Sequence, residues 1–164
     1  PGRLVTSLDP AAKIAMVKGG PDVSYNLFLG VPVHRVPAVV AASGLAVNGW
    51  VPVNPANLAT RFPNVYAVGD VTSAPVPKAG VFAESAAKAV AADIAARLRG
   101  GAPAAAYDGS GACYVDLGDG KVGRVDANFL TGASPTGPFF GPSRELARER
   151  ADFAATRRRR WFRG

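Results

Sequence analysis

The stretch FPNVYAVGDVTSAPVPKAGVFAESAAKAV, from Phe62 to Val90, decides how this chain reads. Val65 to Val68 is apolar enough for a buried strand, yet it runs straight into Gly69-Asp70, a carboxylate with no cation beside it. The next charge, Lys78, comes only after a Pro-rich loop and just before an alanine-rich helix. A buried acid needs a partner, and its neighbours supply none, so a ligand is the expected one. Glycine at position 69 would let that ligand approach the backbone closely. A plainer reading stays open, in which Asp70 is a strand-end turn residue that accepts backbone amides.

Outward from this stretch, secondary structure alternates. Arg3 to Ser7, Lys13 to Val17 and Val23 to Gly30 read as short strands, the last two joined by a turn at KGGP. Val36 to Ala42 reads as a short helix before Gly44, and Gly49 to Asn54 and Asn64 to Val68 as strands. Gly80 to Arg99 is the clearest helix, with Ala83, Ala87, Val90, Ile94 and Leu98 on one face and an i to i+4 pair, Glu84 and Lys88. Gly100-Gly101-Ala102-Pro103 stops it. Ala112 to Leu117 and Lys121 to Asn128 read as a hairpin, Gly132 to Pro142 as an irregular loop, and Ser143 as the cap of a final helix toward Arg160.

The 164 residues are 48% hydrophobic, enough for one domain with a core or two small lobes. No apolar run is long enough to span a membrane, and no signal-peptide pattern is visible. The formal charge of +7 is concentrated at one end, since Pro142 to Gly164 holds eight Arg against Glu145, Glu149 and Asp152. Nucleic-acid binding would need basic residues spread over a folded face with stacking aromatics, so it is not expected.

Several motifs dissolve on inspection. GDGKVG, Gly118 to Gly123, matches a dinucleotide fingerprint letter for letter, but strands flank it on both sides and Asp119-Gly120 is hairpin-turn chemistry. His34 and Cys113, the single His and single Cys, form no metal-ligand set. Leu146, Phe153 and Trp161, with Arg144, Arg148 and Arg157 to Arg160 around them, could make a basic amphipathic helix on an anionic membrane, or simply a solvated end.

Thr60 to Asp70 followed by PKAGVFAESAAK resembles the second flavin-binding motif of the two-dinucleotide-binding-domain, glutathione-reductase-like flavoproteins. LFLGVPVHRVPAVVAASGL, GWVPVNPANLATRFPNVYAVGD, PKAGVFAESAAKAVAADIAARLRG and YDGSGACYVDLGDGKVGRVDANF together resemble the C-terminal half of one family among them. These are the FAD-dependent pyridine nucleotide-disulfide oxidoreductases of the sulfide:quinone oxidoreductase and flavocytochrome c sulfide dehydrogenase type, and the similarity extends over nearly the whole chain.

The resemblance implies an incomplete α/β flavoprotein. Residues 1–45 would end the pyridine-nucleotide-like domain, 46–106 would be the returning FAD segment, and 107–164 a small α+β C-terminal lobe with a basic tail helix. Gly69, Asp70, Lys78, Ala79, Gly80, Val81 and Phe82 would contact FAD, with Asp70 accepting from a ribityl hydroxyl and the helix N-terminus facing the pyrimidine edge of the ring. Cys113 would be one of a redox pair attacked by sulfide, with electrons passing through FAD to a quinone or cytochrome. Its partner cysteine and the G-x-G-x-x-G unit for the ADP half are absent from the sequence. The expectation is therefore a fragment, inactive alone, whose partner is the missing N-terminal half, cytoplasmic or peripheral at the inner face of the membrane. A nicotinamide-dependent quinone reductase, needing no cysteine pair, and a non-catalytic basic module for a membrane or partner are the alternatives. Cys113 itself has a plain reading as a small buried hydrophobe.

Overall fold

The computed structural model describes residues 3–31, 33–102 and 106–162. It is a mixed α/β structure that holds, among the described residues, two three-stranded antiparallel sheets and three α-helices. The chain divides into two compact units, residues 1–34 and 35–164, so 46–106 and 107–164 lie within the same unit. Among the described residues no helix is long and apolar enough to cross a membrane.

In the first unit β1 (Val5–Asp9), β2 (Ile14–Val17) and β3 (Val23–Ser24) pair antiparallel in chain order. The β1–β2 turn is closed by the Asp9 carboxylate, which accepts from the Ala11 and Ala12 amides, and by Lys13 in a left-handed conformation. The expected strand over Val23 to Gly30 shrinks to two paired residues. Ser24 is already opposite Ile14, the first residue of β2, so β3 runs out of partner where the chain turns toward β1.

The second unit opens with α1 (Ala38–Ala42), whose first turn hangs on the Pro37 carbonyl. The two strands expected next are not formed. Around Val51 a single parallel bridge to Thr72 survives, because Pro52 and Pro55 supply no amide and the Ser73 hydroxyl takes the Val53 amide instead. Around Tyr66 a single bridge to Ala59 survives, because Leu58 and Asn64 are left-handed and bend both segments out of register. The parallel sheet of a dinucleotide-binding domain is thus not formed by the described residues.

α2 (Gly80–Leu98) ends through left-handed Gly100, and the Gly101 amide returns to the Ala96 carbonyl. Its buried face is Phe82, Ala86, Val90 and Asp93; of the face expected from Ala83, Ala87, Val90, Ile94 and Leu98 only Val90 is buried, while Ile94 and Leu98 are exposed. Leu58, Ala74, Ala86, Val90 and Tyr107 form the core against which Tyr66, Val68 and Leu130 pack.

β4 (Ser110–Asp116), β5 (Val122–Asn128) and β6 (Phe139–Ser143) form the second sheet in that order. Gly118 to Gly120 is the β4–β5 turn, with Gly118, Asp119 and Gly120 all at positive φ. β6 lies, but for Ser143, inside the stretch read as a loop; Pro142 hid it, yet an edge strand tolerates a residue with no amide to donate. Ser143 then caps α3 (Arg144–Trp161), its hydroxyl accepting from the Leu146 amide at 3.1 Å.

The two faces of this sheet are used differently. Tyr114 and Arg124, cross-strand partners, meet α3: Tyr114 Oη donates to Glu149 at 2.6 Å, Arg124 pairs with Glu149 at 2.7 Å, and the Tyr114 and Phe153 rings lie 5.7 Å apart. Burial, with the Glu149 carboxylate accepting its proton, pushes the Tyr114 phenol up to about 12. The opposite face carries Gly111, where a Cβ would come within 2.8 Å of the Phe82 ring and 3.1 Å of Val81, so β4 lies directly on the start of α2.

Candidate functional site

α2 begins without a side-chain cap. Ala79 is its N-cap, the Phe82 and Ala83 amides bond back to the Ala79 carbonyl, and the Gly80 and Val81 amides donate to no acceptor among the described residues. Two free donors and the positive end of the helix dipole therefore face outward together.

Beside them the segment after Tyr66 makes one 3₁₀ turn, Gly69–Val71. Gly69 has φ +77°, and a Cβ there would stand 3.3 Å from that of Ala83, so glycine lets the turn lie flush on α2. Asp70 is exposed, which corrects the reading of it as a buried acid, and no hydrogen bond to its carboxylate is formed among the described residues. The missing cation is Lys78, returned by the Pro-rich loop. Its ammonium donates to the Thr72 carbonyl at 2.6 Å and the Ala74 carbonyl at 3.2 Å, and it sits 4.9 Å from the Trp50 ring centre. Desolvation lowers the Lys78 pKa from its ordinary value, while the Asp70 charge acts in the opposite direction. Lys78 is thus a clamp on the loop, held by two carbonyls and the Trp50 ring.

Behind the turn lies a small hollow lined by Leu58, Gly69, Thr72, Phe82 and Tyr107. Its free space, about 10 Å³, has room for about one water molecule. A ligand at Gly69-Asp70 must accordingly lie over the surface rather than inside the fold. Tyr107, buried, donates to the Phe82 carbonyl at 3.3 Å and fixes the first turn of α2; burial raises its pKa.

Cys113 is half-buried in the middle of β4, opposite Val125. Side chains alternate along a strand and β4 pairs without a bulge from Ser110 to Asp116, so Cys113 shares its sheet face with Gly111. That is the face on which Val81 and Phe82 rest. Gly69, Asp70, Ala79, Gly80, Val81 and Phe82 therefore converge at one end of α2, and Cys113 projects from the face of the strand that packs there.

Three parts of this arrangement escaped the sequence reading. Trp50 and Thr72, far apart in the chain, hold Lys78. Gly111 gave no signal, because its role exists only once β4 crosses α2. Glu84 was read as half of a pair with Lys88, found at 2.7 Å, but it also receives Arg157 of α3 at 2.9 Å. The Lys88 hydrogen bond, helped by Arg157, holds the Glu84 carboxyl below its ordinary value.

Comparison of the chain with protein-family models gives no match, and comparison with curated proteins gives none either.

Proposed function

We propose that this chain supplies the returning FAD segment and C-terminal lobe of a two-dinucleotide-binding-domain flavoprotein, similar to sulfide:quinone oxidoreductases and flavocytochrome c sulfide dehydrogenases. The observation that carries the reading is the convergence at the α2 N-terminus of an exposed Gly-Asp turn, two unpaired amides and the sheet face bearing Cys113. These groups fit a flavin. A carboxylate free of protein donors suits a ribityl hydroxyl, a glycine at positive φ leaves the surface clear, and outward amides with a helix dipole suit the pyrimidine edge. When bound, the flavin supplies two-electron chemistry between a reduced donor and a quinone or cytochrome. The chain's own residues bind and orient it, and Cys113 offers the thiolate.

The test uses the intact protein. It is expected to retain FAD, and Asp70→Ala to weaken FAD binding by about 10- to 100-fold, the worth of one hydrogen bond to a charged group. Fluorescence titration measures this. An intact protein that neither carries FAD nor takes it up would sink the flavin reading and leave the basic module in its place.

A second element of the reading concerns the tail. The α3 stripe expected to face lipid is largely spent within the fold, since Leu146 and Phe153 are half-buried. Trp161 and Phe162 remain 55% and 78% exposed beside Arg158, Arg159 and Arg160, a cluster suited to an anionic membrane surface. Removing residues 158–164, which leaves Arg157 on Glu84 and takes away four arginines, should weaken retention on anionic liposomes about 1,000-fold at low salt, taking roughly 1 kcal/mol per arginine. Equal retention of both chains in a flotation assay would show the cluster to be a solvated end.

A further inference from the structure

Asp93 is a carboxylate only 6% exposed, at the C-terminal end of the buried face of α2. Two donors hold it, Arg97 Nε at 2.8 Å and Tyr66 Oη at 3.2 Å. Arg97 is four residues on in the same helix, so that ion pair ties α2 only to itself. Tyr66 belongs to the segment that ends in Gly69-Asp70.

Asp93 stands thirteen residues beyond Gly80. At 1.5 Å per residue that is roughly 20 Å along the helix, too far to touch anything held at its start. Tyr66 precedes Gly69 by three residues, and extended chain covers roughly 10 Å in that distance. The segment thus runs back along α2 toward its N-terminus and is fastened at two points. At one, Tyr66 is bonded to Asp93; at the other, Gly69 lies flush on Ala83, where a Cβ would meet that of Ala83 at 3.3 Å. Between them the Ala67 amide bonds to the Leu58 carbonyl at 3.1 Å and Val68 packs on the core, but no strand ladder fixes the register, because the strand expected here is reduced to the Ala59–Tyr66 bridge.

We infer that Asp93 is a positioning residue: through Tyr66 it sets where the 66–70 segment sits along α2, and hence the spacing between the Asp70 carboxylate and the Gly80 and Val81 amides. Its functional consequence rests on the flavin reading, in which those groups meet two parts of one cofactor. The inference also explains a costly choice, since a carboxylate within an apolar face is retained where a leucine would pack.

The experiment is done in the intact protein with Tyr66→Phe, Asp93→Ala, Asp93→Asn and Ala92→Gly. Tyr66→Phe deletes the donor and should weaken FAD binding about tenfold. Asp93→Asn keeps an oxygen that accepts from Tyr66 and should restore most of the affinity lost in Asp93→Ala. Ala92→Gly, exposed on the same helix, loosens α2 without touching the bond and should leave affinity unchanged. Amide hydrogen exchange at residues 67–72 should quicken about tenfold in Tyr66→Phe while α2 amides keep their rates. Unchanged exchange at 67–72, or an affinity loss in Ala92→Gly equal to that in Tyr66→Phe, overturns the inference. If the parent binds no FAD but exchange at 67–72 still quickens, the positioning stands and only the flavin reading fails.

Discussion

Phe82→Ala is expected to lower the unfolding free energy by about 3–5 kcal/mol, the range for truncating a fully buried aromatic. The ring is 2% exposed and meets the Phe129 ring edge-on at 5.5 Å. Its other side fills the space left by Gly111, where an added Cβ would stand 2.8 Å away, so no neighbour can collapse into the hole without moving β4. The Tyr107 hydroxyl bonds to the Phe82 backbone carbonyl, which alanine retains, and the measured loss therefore reports the ring. Because that ring joins α2 to β4, its loss also loosens the registry between the α2 N-terminus and the strand carrying Cys113. Urea unfolding at unchanged m-value measures the cost. A loss below about 1 kcal/mol would show that the two elements are held by something other than this contact.

The parts of the fold that were legible in the sequence are those whose signals are local. The hairpin over Ser110 to Asn128 announced itself by alternation and an Asp-Gly turn, and α3 by the Ser143 cap. The helix over Gly80 to Leu98 was equally plain, but its buried face was not. Alanines stand all round α2, so hydrophobicity hardly fixes its phase, and the choice falls to Phe82 and to Asp93, a residue that pattern reading sends to the surface. The hydroxyl that makes Asp93 tolerable arrives from Tyr66, twenty-seven residues earlier. Strand assignments failed where they depended on partners: Asn64 to Val68 and Gly49 to Asn54 look like strands one at a time, yet prolines and left-handed residues limit them to isolated bridges. The segment after β3 shows the same dependence, with Leu27 75% and Leu29 85% exposed in a run read as a strand. The candidate site was legible as a motif, Gly69-Asp70 and the helix after it. Its clamp, Lys78 on two carbonyls beside Trp50, was not, because backbone carbonyls carry no sequence signal and Trp50 lies twenty-eight residues before the lysine.

On the sulfide-oxidising reading proposed above, Cys113→Ser in the intact protein is expected to cut sulfide oxidation by roughly 1,000-fold or more while FAD content stays at the parent level, as removal of a nucleophile does when binding is intact. Serine has nearly the same shape, but its hydroxyl stays protonated at neutral pH, whereas a thiol reaches its thiolate readily and only the thiolate attacks or leaves in disulfide exchange. The position favours a clean result. Cys113 lies mid-strand with ladder partners from Ser110 to Asp116, so the backbone is fixed without the sulfur, and the half-buried site allows a hydroxyl to find water. None of the groups proposed to hold FAD, Gly69 and Asp70 on their turn and the Gly80 and Val81 amides, depends on the side chain at 113. Steady-state turnover with sulfide, measured beside the flavin absorbance of the same sample, therefore separates three situations. Turnover lost with flavin kept assigns Cys113 to the reacting pair. Unchanged sulfide turnover rejects that role; turnover with a reduced nicotinamide in its place would favour a quinone reductase using the same α2 N-terminus. Flavin and turnover lost together would make Cys113 a packing residue whose sulfur holds β4 on α2, and the redox chemistry would then have to be sought on residues outside this sheet.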